Sequence, residues 1–543
     1  MSSFTENRHI DFIEPARLAV FRALVEAFLD EMGEALRHGA FSQNIKERRD
    51  YSCALFDSSG DLVCGAAHIP VHLGSMDTAC RAAIDAIEMR RGDAVLLNDP
   101  YSGGTHLPDL TVIFPAFLSG SDMPDFYLGV RAHHSDVGGI APGSLPLSSR
   151  LDEEGIVIPP ALILDRGEIV ESLVNRLAES SRQPRERAGD LRAQLASGAV
   201  GLKRMDELAR NRGVENILSE STALIDHSAR VLESFLSTMT PSSGKGVCRM
   251  DEIPGEPGAT IDCRVQLTGD PVSHLDIDFT HSSTQHPGCL NAVPAVVRSA
   301  VIYTLRLFLP ADTPTTSGLL RPVTIRLGER TVLDPSRGAA VAGGNVETSQ
   351  AIVEALLIAL GDAGLDIPAS SQGTMNNVLI GTVDFSGGRA FSFYETIGGG
   401  AGATGSANGA SGIQTHMTNT RNTPIEALER QFPLRIRTYS IRGGSGGNGK
   451  HRGGDGIVRE YEILAPARLT ILSHHRTFGP PGAFGGGPGL PGRNTLIRNG
   501  VETILPARTM IDLVPGDVLR METPGGGAYS ARDPQRAALR PYI

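Results

Sequence analysis

Residues 98–139 carry the segment that decides this fold: NDPYSGGTHLPDLTVIF, followed after a polar loop by FYLGVRAHHSDVGG. The apolar runs on either side of the loop predict two strands. His106 and Asp109 stand three residues apart before the first run, and His133 and His134 follow the second. Imidazole plus carboxylate suits manganese, iron or zinc, and ligands from a loop and a neighbouring strand build an open catalytic site. A hydrogen-bonded structural couple has the same composition, so spacing alone leaves both interpretations open.

The overall composition is that of a globular protein with many turns. Of 543 residues, 40% are hydrophobic and 20% charged, but 63 are glycine, none is tryptophan and only 5% are aromatic. The length exceeds what one hydrophobic core accommodates and predicts several domains. The net charge is −11, from 50 basic and 61 acidic residues, and no basic stripe is present. We therefore expect no nucleic acid partner.

Targeting and redox features predict a cytoplasmic protein. The apolar stretches are too short for a membrane span, and MSSFTENRHI lacks the basic and then apolar start of a signal peptide. Six cysteines are scattered without a Cys-x-x-Cys pair, so we expect reduced and mostly buried thiols. No membrane partner is expected.

Hydrophobic periodicity predicts an α+β, multidomain fold. Helical spacing covers residues 14–38 and most of 165–240. A long helix begins on a polar cap, Asn345 or Thr348, and short strands between Gly/Pro turns follow Pro424. We expect four parts: a mixed amino-terminal domain with the metal site (1–164), a helical layer (165–245), a central α+β part (246–424) and a β-rich carboxy-terminal domain (425–543).

Two glycine-rich stretches look like nucleotide-binding motifs but lack their context. GAGATG at 400–405 satisfies G-x-G-x-x-G, yet the sequence that follows has no helical period. GSGGNGKH at 444–451 has His451 where a P-loop needs Ser or Thr, and RGGDG follows instead of an apolar helix. We therefore expect that the chain does not bind ATP by itself.

Two polar clusters are candidates for substrate or catalytic contacts. His68 and His72 stand in HIPVHLGSM, where Pro70 argues against a shared helix face, so structural and substrate-lining roles both remain open. VAGGNVETSQ places Asn345 and Glu347 at a helix amino terminus, whose free amides and dipole favour anions. Plain helix capping is the alternative.

A third polar cluster follows the strand-like FYETI. Gly-rich backbone comes after Glu395, and THMTNTRNTPIE then adds His416, Asn419 and Asn422. This polar density suits oxyanion binding or proton transfer, and it suits a buried hydrogen-bond network almost as well. We take the following as candidates: catalytic, Glu395, His416, Asn345 and Glu347; substrate-binding, His68, His72, Asn419 and Asn422.

In combination, these motifs resemble the signature blocks of hydantoinase B subunits. That family is related to the carboxy-terminal half of 5-oxoprolinase and to the alpha subunits of acetone and acetophenone carboxylases. The similar blocks run from about residue 40 to residue 528, nearly the whole chain. They are NDPYSGGTHLPD, RAHHSDVGG, EEGIVIPP, RAGDLRAQLAS, VAGGNVETSQ, YETIGGGAGA, HMTNTRNTPIE and TPGGGAY.

The resemblance implies an enzyme of two kinds of subunit. Members work with a hydantoinase A-like subunit that binds ATP and Mg²⁺ and phosphorylates the carbonyl oxygen of the substrate. The activated species then reacts at the B subunit, where a metal-assisted water opens a cyclic amide such as a hydantoin, 5-oxoproline or a lactam. The implied assembly is a heterotetramer or larger. A ketone carboxylase that uses bicarbonate, and a non-catalytic scaffold for an enzyme partner, are the alternatives.

The resemblance also implies a ligand set. In the carboxylase relatives a His-x-x-Asp and a downstream His bind a divalent metal, which here implies His106, Asp109 and one of His133 or His134. A one-residue change of strand register moves a side chain to the opposite face of the sheet. The sequence therefore leaves the choice between the two histidines open, and manganese, iron and zinc all remain candidates.

Overall fold

The computed structural model describes residues 13–66, 68–382 and 390–530. The segment MSSFTENRHI, which bears on the signal peptide, lies outside the described residues, as does the end of the predicted carboxy-terminal domain. In the described ranges no helix is both long enough and apolar enough to cross a bilayer. The six cysteines are all described, and each is buried and unpaired, as the sequence predicts.

The helix near the amino terminus and those between residues 171 and 237 lie where helical periodicity predicts them, whereas the helices at Pro294–Arg306 and Ile425–Gln431 are not predicted. The first buries Phe21, Val25, Met32 and Leu36 on one face, at spacings of four and seven residues. The helices of the described chain are α1 (Pro15–Gly39), α2 (Gln43–Lys46), α3 (Met76–Ala86), α4 (Glu171–Ser180), α5 (Pro184–Arg212), α6 (Val214–Ser237), α7 (Pro294–Arg306), α8 (Ser349–Asp362) and α9 (Ile425–Gln431). The predicted helical layer is thus formed by α4, α5 and α6.

The strands occupy the amino-terminal, central and carboxy-terminal parts and confirm the α+β class. They are β1 (Tyr51–Asp57), β2 (Leu62–Gly65), β3 (Ala94–Leu97), β4 (Asp109–Ala116), β5 (Phe126–His133), β6 (Ala161–Asp165), β7 (Glu168–Ile169), β8 (Ser242–Arg249), β9 (Thr260–Gly269), β10 (Val272–Asp278), β11 (Val323–Arg326), β12 (Asn377–Gly381), β13 (Ser392–Glu395), β14 (Leu434–Arg442), β15 (Gly456–Ile463), β16 (Ala467–Leu472), β17 (Arg493–Arg498), β18 (Val501–Leu505), β19 (Arg508–Leu513) and β20 (Val518–Glu522).

An antiparallel sheet of seven strands forms the amino-terminal part, in the order β2-β1-β5-β4-β3-β6-β7. Side chains of β4 alternate between its two faces. Val112 and Phe114 join the large core that includes α1 and α5, whereas Ile113 joins a smaller core with α3. With both faces covered, the central strands β4 and β5 are buried along their whole length.

The central part packs helices on a four-stranded sheet of order β11-β10-β9-β8. Helix α8 lies directly on β8, and glycine makes this contact possible. A Cβ at Gly244 would come within 2.1 Å of the Ala359 carbonyl oxygen, and one at Gly246 within 2.0 Å of the Ala355 oxygen. Only glycine allows the two backbones to approach so closely.

Two sheets formed by strands between Asn377 and Glu522 pack face to face, and the part after Pro424 is rich in β-structure as the sequence predicts. Their orders are β13-β12-β16-β19 and β14-β15-β20-β17-β18. A separate hydrophobic core, with Phe393, Tyr461, Leu469 and Leu519 among its members, fills the space between them. The division of the chain at residues 164, 245 and 424 stays a prediction.

Candidate metal centre

Strand register brings the predicted metal ligands together. Asp109 is the first residue of β4 and His133 the last of β5, and the two face each other across the antiparallel pair. His106 lies three residues ahead of Asp109, in the loop that enters β4. One ligand-type atom from each of these buried side chains lies within 4.8 Å of those of the other two. The site is therefore built on central strands of the largest sheet.

The bonding of these three side chains fits a cation. His106 Nδ1 lies 3.3 Å from Asp109 Oδ2, His133 Nδ1 lies 3.4 Å from Asp109 Oδ1, and the two rings approach to 3.2 Å. Yet His106 Nδ1, Asp109 Oδ1 and His133 Nε2 are buried and make no hydrogen bond with the described residues. Buried polar atoms are rarely left without a partner. Two imidazoles and a carboxylate with free atoms are the donor set of a divalent metal site.

Electrostatics hold His106 and Asp109 in the protonation states that metal binding requires. Burial lowers the pKa of His106 to about 3, so its ring is neutral at neutral pH. Burial by itself would raise the pKa of Asp109, but the nearby imidazoles of His106 and His72 hold it well below its usual range. A neutral imidazole and an ionised carboxylate are ready to bind a cation without releasing a proton.

His134 lies outside this cluster. Its Nε2 is 2.8 Å from Gln194 Oε1, and the Gln194 amide in turn donates to the carbonyls of Leu110 and Val130. Burial lowers the pKa of His134 to about 4. Of the two adjacent histidines, only His133 is therefore brought to His106 and Asp109.

The two histidines of HIPVHLGSM have different surroundings. His72 reaches the centre: its Nε2 lies 3.3 Å from Asp109 Oδ2, and its Nδ1 lies 2.8 Å from Ser52 Oγ. The His68 ring instead accepts a hydrogen bond from the backbone of Cys53 and packs edge-on against Tyr51. Of the two, only His72 is positioned to contact a reacting group.

A cavity of about 20 Å³ is lined by Asp109 and His133, two of the three ligand-type residues, and by His72. Asp50 and Tyr394, which the sequence analysis missed, line it. The Tyr394 ring stacks on His133 at 5.0 Å, and the buried Arg48 guanidinium lies 4.3 Å from the centre of the Tyr394 ring. Tyr394 directly precedes Glu395 in the strand-like FYETI. Because successive side chains of a strand point to opposite faces, this position could have been identified as a second candidate.

The helical segment that leads into α8 begins earlier than predicted. Helical backbone begins at Ala342, ahead of both predicted caps, and passes through a wider π-turn at Gly344–Thr348. The Thr348 hydroxyl donates to the Leu290 carbonyl and caps nothing. Glu154 Oε1 accepts from the amides of Val341 and Ala342, at 2.8 and 2.9 Å. The prediction of free amides at this terminus is wrong, because these amides donate hydrogen bonds to the side chain of Glu154.

The π-turn places its two candidate residues differently. Asn345 lines the small cavity: its Nδ2 lies 3.4 Å from Asp109 Oδ2, and its buried Oδ1 has no partner among the described residues. Glu347 Oε1 accepts from the Met375 amide and from Asn377 Nδ2, and its Oε2 is buried without a described partner. Burial raises the pKa of Glu347 to about 7.

The last cluster of candidates lies away from the cavity. Glu395 Oε2 accepts from the Tyr461 hydroxyl at 2.6 Å and lies 2.9 Å from Arg459 Nη2, while Oε1 accepts from the Thr423 amide. Asn419 donates to the His68 carbonyl, and Asn422 donates to the Thr396 carbonyl. These three side chains hold the loop before α9 in place.

His416 belongs to a different cavity. Its Nδ1 lies 3.3 Å from the Tyr303 hydroxyl, and its backbone adopts a left-handed φ of 57°. Burial lowers its pKa to about 4. The next residue, Met417, lines the metal cavity, so the two cavities lie on opposite sides of one short segment.

Comparison with known proteins identifies the family of this chain. The model of the family described as hydantoinase B/oxoprolinase matches residues 14–532. The chain belongs to this family. 5-Oxoprolinase 1 of Arabidopsis thaliana is 36% identical over 95% of this chain. The matched part is 42% of that protein, so the chain spans about two fifths of this relative.

Two solved structures share the fold of this hydantoinase B/oxoprolinase chain. The crystal structure of an ATP-dependent caprolactamase from Pseudomonas jessenii matches with a TM-score of 0.86 and 26% identity, over 98% of this chain and 93% of that one. Nucleotide-free acetone carboxylase matches with a TM-score of 0.83 and 18% identity, over 96% and 77%. The resemblance drawn from the sequence motifs is thereby confirmed.

Proposed function

We propose that this chain is the catalytic B-type component of an ATP-dependent amidohydrolase, and that it opens a cyclic amide such as a hydantoin, 5-oxoproline or a lactam. Family membership and the full-length similarity to a caprolactamase support the reaction class. The observation that carries the proposal is the buried cluster of His106, Asp109 and His133, with a free atom on each side chain.

In this proposal the three side chains hold a divalent cation, which is manganese, iron or zinc. Bound there, the cation supplies Lewis acidity and lowers the pKa of a water molecule. Thr105 donates to Asp109 Oδ2 at 2.8 Å and orients the carboxylate. Asn345 lines the cavity and has an unpaired side-chain oxygen, which is suited to accept a hydrogen bond from the substrate or from water.

The chemistry proceeds on a substrate that already carries a phosphoryl group on its carbonyl oxygen. Water adds to the activated carbon, the ring C–N bond breaks, and the nitrogen leaves with a proton as an amine. A second water molecule releases phosphate from the acyl group. The chain's own residues position the water and exclude bulk solvent, because the whole cluster is buried.

The similarity to solved structures favours the amidohydrolase over the ketone carboxylase. The caprolactamase is 26% identical and the match covers 93% of that chain, against 18% and 77% for acetone carboxylase. The small cavity, of about 20 Å³, has room for roughly one water molecule, which is the nucleophile in the amidohydrolase reaction.

ATP and Mg²⁺ bind, in this proposal, to a hydantoinase A-like partner in a heterotetramer or larger assembly. The two glycine-rich stretches at 400–405 and 444–451 form turns and loops with no helix after them, so neither has the setting of a nucleotide site. The matched relative has about three fifths of its length outside the part that this chain covers. That remainder is the place for nucleotide chemistry in a single-chain relative.

Two measurements test the proposal. The reconstituted complex should release ADP with a hydantoin, 5-oxoproline or caprolactam in the absence of bicarbonate. Turnover that occurs only with a ketone and bicarbonate would instead establish the carboxylase. Calorimetric titration of the isolated chain with Mg-ATP should show no binding, and stoichiometric binding would contradict a partner-borne ATP site.

A further inference from the structure

A second and larger cavity lies along α8, away from the metal centre. Its volume is about 340 Å³, within the range of small-molecule sites. Glu354 on its wall is nine residues beyond Asn345, which is about 13 Å along a helix. Most of the wall is apolar and includes Leu357, Ile358, Ile367, Pro368, Pro481 and Ala483.

A buried carboxylate marks the polar end of this cavity. Glu354 is 6% exposed, and its Oε2 lies 3.1 Å from His475 Nε2. No donor from the described residues bonds the other oxygen, Oε1. His416 completes this end of the cavity, with its ring buried and its Nδ1 near the Tyr303 hydroxyl. A ligand that donates hydrogen bonds would satisfy the free carboxylate oxygen.

Charges at the rim favour a cation as ligand. Lys245 is the one ammonium group among the lining residues, and its Nζ is directed to Asp262 Oδ2 at 2.9 Å. Asp362 adds a second carboxylate, which accepts from the backbone amide of Lys245. His475 contacts Glu354 through Oε2, so the other oxygen, Oε1, remains open to a ligand.

We propose that this cavity binds a small molecule with a primary ammonium group on a short apolar body. The ammonium group donates to Glu354, and the apolar body lies against Ile358 and Ile367. The site goes beyond the proposed function, because it is separate from the metal cavity. Ring opening of a simple lactam such as caprolactam releases an amine of this chemistry, and a free amine is the other source.

Titration followed by NMR tests the site directly, with n-pentylammonium as the probe and 1-pentanol and pentanoate as neutral and anionic probes of similar size. The ammonium compound should bind, and the other two should bind at least about tenfold more weakly, since one charge-assisted hydrogen bond accounts for that ratio. Glu354→Gln should weaken binding of n-pentylammonium by a similar factor. Glu502→Gln on the exposed strand β18 is the matched control and should bind as the wild type does.

Ile358→Trp keeps the test valid if Glu354→Gln fails to fold, because it fills the cavity without altering the carboxylate, and it should also abolish binding. Equal binding of the alcohol, or full binding by either cavity variant, would overturn the proposal. Competition by the ring-opened amino acid 6-aminohexanoate would identify the product as the source of the amine, and lack of competition would identify a free amine. No binding of n-pentylammonium to the wild-type chain, in a preparation whose complex has amidohydrolase activity, would overturn this site and leave the proposed function intact.

Discussion

The metal centre and the network around Glu395 are two buried polar clusters that differ in how completely they are bonded. At the metal centre, His106, Asp109 and His133 each retain a buried atom without a partner among the described residues. Both oxygens of Glu395 are bonded, to Tyr461, Arg459 and the backbone of Thr423. The sequence marks both clusters as catalytic candidates, because residue types alone do not record which atoms are satisfied.

The difference indicates that the first cluster binds a ligand and the second stabilises the fold. Unsatisfied buried atoms cost free energy in the isolated chain and are retained where a ligand completes them. A satisfied network stabilises the fold and has no free group to offer a substrate. The predicted catalytic role of Glu395 therefore competes with a structural role, and the two clusters should respond differently to substitution.

Asp109→Asn should have the largest effect on activity. It removes the charge that binds the cation while keeping the size of the side chain, so bound metal and turnover of the complex should fall together, turnover by more than about a hundredfold. Elemental analysis and an ADP-release assay measure the two. The control is His134→Gln, which lies next to the centre and should retain metal. Full metal content in Asp109→Asn would contradict the ligand assignment.

Glu395→Gln should have the largest effect on stability. It leaves the buried Arg459 guanidinium without its carboxylate, which costs about 3–5 kcal/mol. Chemical denaturation measures this loss, and bound metal per folded chain should stay at the wild-type level. If stability is unchanged and turnover collapses, Glu395 is catalytic after all and the contrast between the clusters fails.

Asn345→Ala should reduce turnover by about ten- to a hundredfold, the range for residues that support a metal ligand. The amide lies 3.4 Å from Asp109 and lines the cavity, but it belongs to no ion pair. Steady-state kinetics of the complex, together with metal content, measure the effect. Full activity here and in Glu395→Gln would favour the non-catalytic scaffold.

Glu154→Gln should leave turnover unchanged and alter the pH dependence of stability. Burial raises the pKa of Glu154 from 4.5 to about 8, so folding favours its protonated form. Stability from this group is complete below pH 4.5 and is lost as pH rises toward 8, by at most about 1.4 kcal/mol per pH unit. The variant should flatten this part of the curve of unfolding free energy against pH. An unchanged slope would show that Glu154 is ionised in the folded protein.

The sequence predicts the elements of this fold well and the site only in part. Periodicity identifies α1, the helical layer and the β-rich carboxy-terminal part because these patterns are local. His106 and Asp109 are found because they share one motif. The choice of His133 over His134 depends on pairing between β4 and β5, which no local pattern specifies.

Residues from distant segments complete the site and could not be foreseen from spacing. Glu154 occupies the helix amides at Val341 and Ala342 across 187 and 188 residues of sequence. Asp50, which directly precedes β1, and Tyr394, which lies in β13, both line the cavity. The π-turn that carries Asn345 also departs from the helical repeat on which sequence patterns rely.

The pairing of Asp109 with His133 also gives a check on the quality of a preparation. If β5 slipped by one residue against β4, His134 would replace His133 and the chain would still contain much the same secondary structure. Circular dichroism would not distinguish this shifted register from the native one. The chain with the shifted register would, however, lack the proposed cation. Under the proposed ligand assignment, metal stoichiometry per polypeptide therefore reports whether β4 and β5 pair in the native register.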